Sequence, residues 1–313
     1  MKHKTLLKAI LIPVGAIALI ALLLGGTWLF VLPRLGASSD EDFTRQIHAQ
    51  TVWQNTMDNR VPITALHNVM TRHMIAQNDG ANRLLLIVYD GALATLAGTR
   101  AVEYPNSPIG QFAALGNLWL GYTGGATPGD QTTDTSPGFA SLFTGTWGLQ
   151  NGVLNNRGTL SPEVPTILRS MHEHGLRVRF SYSWRSHGTV NFRHEMEQFP
   201  TMFDFARGDA GTADSMLDAI LNGYHAVLGS FESIDTWGHI TGFNYRNPFY
   251  RRAFVRTEAD AAGLIAAAQA RADSTDENWL IILLSDHGGI GTDHGGTTLM
   301  ENTIWIASNQ GFF

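Results

Sequence analysis

The chain has 313 residues, room for one large domain or two small ones with an appendage. Hydrophobic residues make up 44%, so a sizeable core is expected, and a net charge of −6 without any Lys/Arg run excludes nucleic acid as a standing partner. With no cysteine, disulfides and thiolate zinc sites are excluded, which leaves the 12 histidines as the nitrogen ligands for a metal.

The first segment has a membrane pattern. After Lys2, Lys4 and Lys8, the stretch from Ala9 to Leu32 carries no charge. At about 24 residues it can cross a hydrocarbon core of ~30 Å as a tilted helix, and it exceeds the ~7–15 apolar residues of a cleaved signal peptide. Lysines before it, and Asp40, Glu41 and Asp42 after Arg34, place the N-terminus inside and the rest outside by the positive-inside rule. The expected organisation is a cytoplasmic N-terminus and signal anchor over 1–36, then a stalk or first domain layer over 37–82, then a catalytic domain over 83–313. A signal peptide cleaved near Ala37 and a buried core helix are the competing readings of the first segment. The stretch from Asp40 to Asn82 scatters Phe43, Ile47, Val52, Trp53 and Met57 without a chemical constellation, and its His48, His67 and His73 read as surface or locally bonded residues.

From Asn82 onward strands and helices alternate. Arg83 to Tyr89 (RLLLIVY) is a continuous apolar run, as in a strand buried on both faces. A helix is predicted from Val164 to His174, closed by Gly175, with a strand from Leu176 to Trp184. A helix from Thr212 to Leu221 and a strand from Ala226 to Phe231 follow, then a long Ala-rich helix from Arg251 to Ala272. Trp279 to Leu284 (WLIILL) is a second fully buried strand, and Thr303 to Ala307 one more. This alternation predicts an α/β fold, a mostly parallel central sheet with helices on both faces, whose ligands gather at the carboxyl ends of the strands.

Chemistry-bearing residues stand at those ends. Asp90 closes the first strand and Asp286-His287 a later one, where carboxylates emerging from buried runs can meet a cation. Asp235-Thr-Trp-Gly-His239 adds an Asp/His pair, with Gly238 suited to a tight turn between them, and His294 lies in the glycine-rich loop 291–296. Three Asp and three His suffice for two sites of mixed N/O coordination, a set that suits Zn²⁺ better than Mg²⁺ or Ca²⁺. In Thr135-Ser-Pro-Gly, Ser136 followed by Pro137 reads as an N-cap with Pro at the first helical position. Thr135 then lies at a helix N-terminus, where free N–H groups favour an oxyanion or a phosphate.

The segment TSPGFASLFTG resembles the nucleophile segment of the alkaline phosphatase superfamily, and Thr135 matches its nucleotide pyrophosphatase/phosphodiesterase branch. Asp90 in IVYDGA, the Asp235/His239 pair, Ser285-Asp-His-Gly288 and His294 match that branch's metal motifs, and Asn156 its phosphate-binding Asn. The resemblance spans roughly Arg83 to Ala307. It implies one zinc held by Asp90, Thr135, Asp286 and His287 and another held by Asp235, His239 and His294, with Mn²⁺ able to use the same ligands. It also implies a phosphodiesterase acting through a phosphothreonine on a small phosphorylated substrate. Three departures stand out: Phe139 replaces the Arg of sulfatases and the His of many phosphodiesterases; His287 and His294 are a short loop apart; and the chain stops at Phe313, as a fragment or a pared-down member would. Formylglycine chemistry is excluded by Thr135. Phosphomonoesterase, phosphonate hydrolase and phosphotransferase are the alternatives within the superfamily, and an inactive membrane-anchored binding protein is the non-enzyme alternative. Arg185, His187, Trp237 and Tyr245 are the candidates for the substrate pocket's walls.

Overall fold

In the computed structural model, which describes residues 39–77, 80–125, 130–311 and 313, the strand–helix alternation becomes one sheet of eight strands among the described residues. In chain order they are β1 (Val61–Pro62), β2 (Asn82–Tyr89), β3 (Leu118–Tyr122), β4 (Val178–Tyr182), β5 (Phe203–Phe205), β6 (Ala226–Phe231), β7 (Asn278–Leu284) and β8 (Thr303–Ser308). Across the sheet they run β1-β3-β8-β7-β2-β6-β4-β5. β8 is antiparallel to both its neighbours, and every other pair is parallel. The expected mostly parallel sheet is therefore present, with one reversed strand inside it.

The centre of the sheet is apolar on both faces because two cores need it. On β2, Leu85, Ile87 and Tyr89 enter one core while Leu84, Leu86 and Val88 enter the other. This period-two division is what a run without polar residues allows. Helices α1 (Asp40–His48), α2 (Ala94–Glu103), α3 (Thr135–Thr144), α4 (Ile167–Glu173), α5 (Gly208–Leu221), α6 (Ser233–Thr241) and α7 (Pro248–Thr275) cover these faces. The first core takes Leu96 of α2, Met216 of α5 and Phe254 of α7; the second takes Phe139 and Phe143 of α3 and Leu168 of α4. Local chemistry sets the ends of several elements. Thr166 caps α4 by accepting from Arg169 N at 3.2 Å, which starts that helix at Ile167 instead of Val164. Asn247 caps α7 ahead of Pro248.

Three strands escaped the sequence reading for identifiable reasons. β1 and β5 are two and three residues long, too short to show alternation. β3 (LWLGY) carries Gly121 and runs on towards Gly124 and Gly125, which read as loop punctuation. The predicted transmembrane helix over 9–32 lies outside the described residues, and among the described residues no helix is long and apolar enough to cross a membrane. Phe43 and Ile47 of α1 are each 1% exposed and belong to the core that contains Leu85, Ile87 and Tyr89.

That packing makes α1 part of the cooperative unit. Phe43→Ala should lower unfolding stability by ~3–5 kcal/mol through lost transfer energy and an incompletely filled cavity. The check is a urea titration of wild type and variant. A segment standing off the domain would leave the midpoint unchanged.

Candidate metal centre

Three central, adjacent, parallel strands deliver the site. β7, β2 and β6 end side by side, so Asp286-His287, Asp90 and Glu232 leave the sheet along one edge. Glu232 obeys the same strand-end rule as Asp90 and Asp286, and it was missed because only its neighbour Asp235 formed a motif. The pair Asp235 and His239 sits within helix α6, one turn apart, so their side chains share a helix face. Gly238 is therefore helical and makes no tight turn. Its role is steric: a Cβ there would stand 2.4 Å from the Phe243 ring. Asp209 fixes the start of α6 by accepting from Glu232 N (2.8 Å) and Ser233 N (3.2 Å).

Helix α3 begins at Thr135, with Asp134 as its N-cap residue. Ser136 is thus the second helical residue, and Pro137 the third. The predicted cap fails because Asn156, from the loop beyond α3, accepts from Ser136 N at 2.9 Å through its side-chain oxygen. Gly91 follows Asp90 at φ +64 and donates its N–H to Asp286 Oδ1 at 3.1 Å. Any Cβ at Gly91 would lie 2.6 Å from Asp235 Oδ1, so glycine is required by both conformation and space. Tyr250 of α7 braces this turn, donating its hydroxyl to Gly91 O (2.5 Å) and accepting from Leu93 N (2.9 Å).

All six predicted Asp and His ligands, and Thr135, come together. Ligand atoms of Asp90, Asp286 and His287 lie within 4.8 Å of one another, as do those of Asp235, His287 and His294. His287 thus stands between the two groups instead of in one alone. His239 Nε2 is 3.2 Å from Asp235 Oδ2 and 3.1 Å from His294 Nε2. Thr135 Oγ1 is 3.3 Å from His287 Nε2 and 3.4 Å from Asp90 Oδ1. The imidazoles share one arrangement. His239 Nδ1 meets Thr292 O at 2.9 Å, His287 Nδ1 meets Gly288 O at 2.7 Å, and His294 Nδ1 meets Asp134 Oδ1 at 3.0 Å. Carbonyls and an ionised carboxylate can only accept, so each Nδ1 carries the proton and each Nε2 turns towards the cluster. Asp235 Oδ1 and Asp286 Oδ2 are buried there without a hydrogen-bond partner. Imidazole nitrogens converging with carboxylates, two of whose oxygens have no hydrogen-bond partner, fit a divalent cation, and the N/O donor set is one zinc accepts.

The charges agree. Burial, reinforced by Asp286, Glu232 and Asp235, pushes the Asp90 carboxyl well above the usual range, and burial does the same to Asp286. Burial lifts Glu232 to about 7. For Asp235, burial is outweighed by the hydrogen bond from His239 and by the neighbouring histidines, and its value is lowered; the same hydrogen bond raises His239 to about 9. Burial, with His294 beside it, pushes His287 down to about 3. For Asp134 the cost of burial is overcome by hydrogen bonds from His294 and Thr132, and its value is lowered.

A cavity of about 590 Å³ opens onto these groups. Thr135, Asn156, Asp235, His239 and His294 form its chemical side, with Ser183, Trp184, Asp209, Glu232, Thr236 and Ile240 around the rest; among the described residues no Lys or Arg lines it. The four predicted wall residues are elsewhere. His187 is fully buried against Phe139 (ring centroids 4.4 Å apart), behind the Glu232 carboxylate at 3.9 Å. Trp237 stacks on Phe249, Arg185 covers Phe205, and Tyr245 lies beside Arg246. Phe139 is 0% exposed and part of the core, so the departure at that position adds no group to the cavity.

Stability against pH should report this cluster. Glu232 (to about 7) and His239 (to about 9) hold protons in the folded chain that the unfolded chain has released, so their contributions fall as pH rises. Those of His187 and His287, whose folded values fall to about 3, grow with pH but are complete near their ordinary 6.5. With EDTA present, Tm should fall from pH 6.5 to 9. With zinc present it should lie higher, by an increment that grows with pH because the ligands bind deprotonated. Equal Tm with EDTA and zinc throughout would contradict a metal centre.

No protein-family model matches the chain, and no curated protein matches it. Solved structures do. The C-terminal periplasmic domain of EptC from Escherichia coli, in complex with Zn, aligns at 12% identity over 74% of each chain, with a TM-score of 0.44. Alkaline phosphatase from the Antarctic bacterium TAB5 aligns at 12% identity over 72% of this chain and 90% of that one (TM-score 0.44). Murine ectonucleotide pyrophosphatase/phosphodiesterase 5 aligns at 16% identity over 66% of this chain and 57% of that one (TM-score 0.45). The solved structures to which this chain is similar are members of the alkaline phosphatase superfamily, the family its motifs resemble.

Proposed function

We propose that the chain is a two-zinc phosphoesterase, of phosphodiesterase or nucleotide pyrophosphatase type, with Thr135 as nucleophile. One observation carries this reading: three imidazole Nε2 atoms and three aspartates converge beside a hydroxyl at the first residue of a helix. Zinc ions held by Asp90, Thr135, Asp286 and His287, and by Asp235, His239 and His294, would supply Lewis-acid charge against the oxygens that become negative. Thr135 Oγ1 attacks phosphorus in line; the Oγ–P bond forms as the bond to the leaving alcohol breaks, and the alcohol departs with a proton. Water then attacks the phosphothreonine, the Oγ–P bond breaks and the hydroxyl is restored. Asp90 Oδ1, 3.4 Å away, is an acceptor for the threonine proton. Asn156 holds the start of α3 through Ser136 N and lines the cavity, where its amide can meet a phosphoryl oxygen.

A diester suits the cavity better than a monoester. A monoester brings close to two negative charges, and among the described residues the wall offers Asp209 and Glu232 but neither Lys nor Arg. Thr135→Ala should keep the fold and its metals yet lose most turnover on bis(p-nitrophenyl) phosphate with zinc supplied, while Thr135→Ser keeps measurable kcat. If Thr135 had no chemical role, the Ala variant would lose none of its rate per folded molecule. Wild-type kcat in that variant would sink the mechanism.

We further propose that the charge-free stretch 9–32 anchors the chain in the cytoplasmic membrane, with the domain after Arg34 facing the periplasm or exterior. Its support is the length of the stretch and the Lys2, Lys4 and Lys8 that precede it. C-terminal fusions should then be active with an export-dependent reporter enzyme and dark with a fluorophore that matures only in the cytoplasm. The reverse pattern would overturn the orientation.

A further inference from the structure

Asp134 is used unlike an ordinary helix cap. An aspartate at an N-cap normally accepts from the second or third helical N–H, but the Asp134 side chain makes no such bond. Asn156 has taken that duty on Ser136 N. The Asp134 carboxylate turns away from its own helix: Oδ1 accepts from His294 Nδ1 at 3.0 Å and Oδ2 from Thr132 Oγ1 at 2.5 Å. The adjoining residues tie the same two segments together. Thr133 Oγ1 donates to Gly296 O at 3.0 Å and accepts from Gly295 N at 3.1 Å. His239 and His287 have backbone carbonyls as their Nδ1 acceptors, whereas His294 has a charged side chain.

We propose that Asp134 is a positioning residue acting through His294. It fixes the ring's tautomer and aims Nε2 at the cluster. Asp134 directly precedes Thr135, so the residue that orients His294 stands next in the chain to the hydroxyl at the cluster. The inference rests on the two-zinc reading for its affinity readout and is independent of that reading for its tautomer readout.

The test uses the full chain with Asp134→Ala and Asp134→Asn. Zinc affinities are measured by competition with a chromogenic chelator, and the histidine tautomers by nitrogen-15 NMR in EDTA well above the value of about 9 to which His239 is raised. Asp134→Ala should weaken one of the two zinc sites by ~10–100-fold and leave the other within about twofold. His294 should pass from the Nδ1–H form to a mixture of tautomers, while His239 and His287 stay Nδ1–H. Asp134→Asn keeps an acceptor and removes the charge, so it should weaken the same site less; it also serves if the Ala variant fails to fold. Unchanged zinc affinities at both sites, or a His294 that keeps its tautomer in the Ala variant, would overturn the proposal. If wild type bound no zinc, the two-zinc reading would fall, and the tautomer result alone would decide the role of Asp134.

Discussion

Three imidazole rings are held by their outer nitrogens so that their inner nitrogens face one another and a group of buried aspartates. Thr292 O, Gly288 O and the Asp134 carboxylate each accept a hydrogen bond from an Nδ1–H. His287 Nε2 has the Thr135 hydroxyl at 3.3 Å and His239 Nε2 the Asp235 carboxylate at 3.2 Å, while Asp235 Oδ1 and Asp286 Oδ2 have no hydrogen-bond partner. Such an arrangement is costly unless a cation joins it, because unpaired acceptors and buried like charges both raise the energy of the fold. Much of the surrounding structure serves this concentration of charge. The three parallel strand ends bring the carboxylates, helix α6 brings an Asp/His pair on one face, and the Gly91 turn lets Asp90 and Asp235 approach where no other residue would fit.

Without a divalent ion, protons are the positive charge within reach. His239 shares one with Asp235 and is raised to about 9, and Glu232 keeps one to about 7. His287, buried among the same groups, is held neutral by desolvation. Neighbouring residues thus move in opposite directions because one is half in solvent and hydrogen-bonded to a carboxylate while the other is enclosed with another imidazole beside it. Protonation of the site and stability of the fold are therefore linked. Tyr250, reaching from α7 to both Gly91 O and Leu93 N, fastens the turn behind the aspartates.

Much of this was legible in the sequence, for physical reasons that differ from element to element. β2, β6 and β7 announce themselves because a strand between two cores cannot carry polar residues, and the acids after β2 and β7 are conspicuous where those runs stop. The same logic covers Glu232, which was overlooked only because Asp235 and His239 drew attention to a motif instead of to a strand end. Gly238 misled because glycine in a short motif suggests a turn, whereas here it makes room for Phe243 against a helix. β1, β3 and β5 were hidden by brevity or by glycine. The pocket walls were illegible for a deeper reason: Arg185, His187, Trp237 and Tyr245 are near the motifs in sequence, but which loop residues face a cavity depends on turns that no periodicity encodes.

The start of α3 shows how side-chain exchange defeats a local rule. A Ser-Pro pair is a fair predictor of a cap because it usually faces only its own helix. Here an amide from residue 156 reaches Ser136 N, so the residue at the true cap, Asp134, is released to hold His294 some 160 positions away. Neither contact is visible in a window of ten residues, and each makes sense only with the other. A cap that no longer caps is informative: a polar side chain that gives up its cheapest hydrogen bond must gain a better partner. In this fold that partner is an imidazole whose Nε2 faces the Asp/His cluster. The chain segment that ends at Thr135 is therefore fastened to the loop that carries His294.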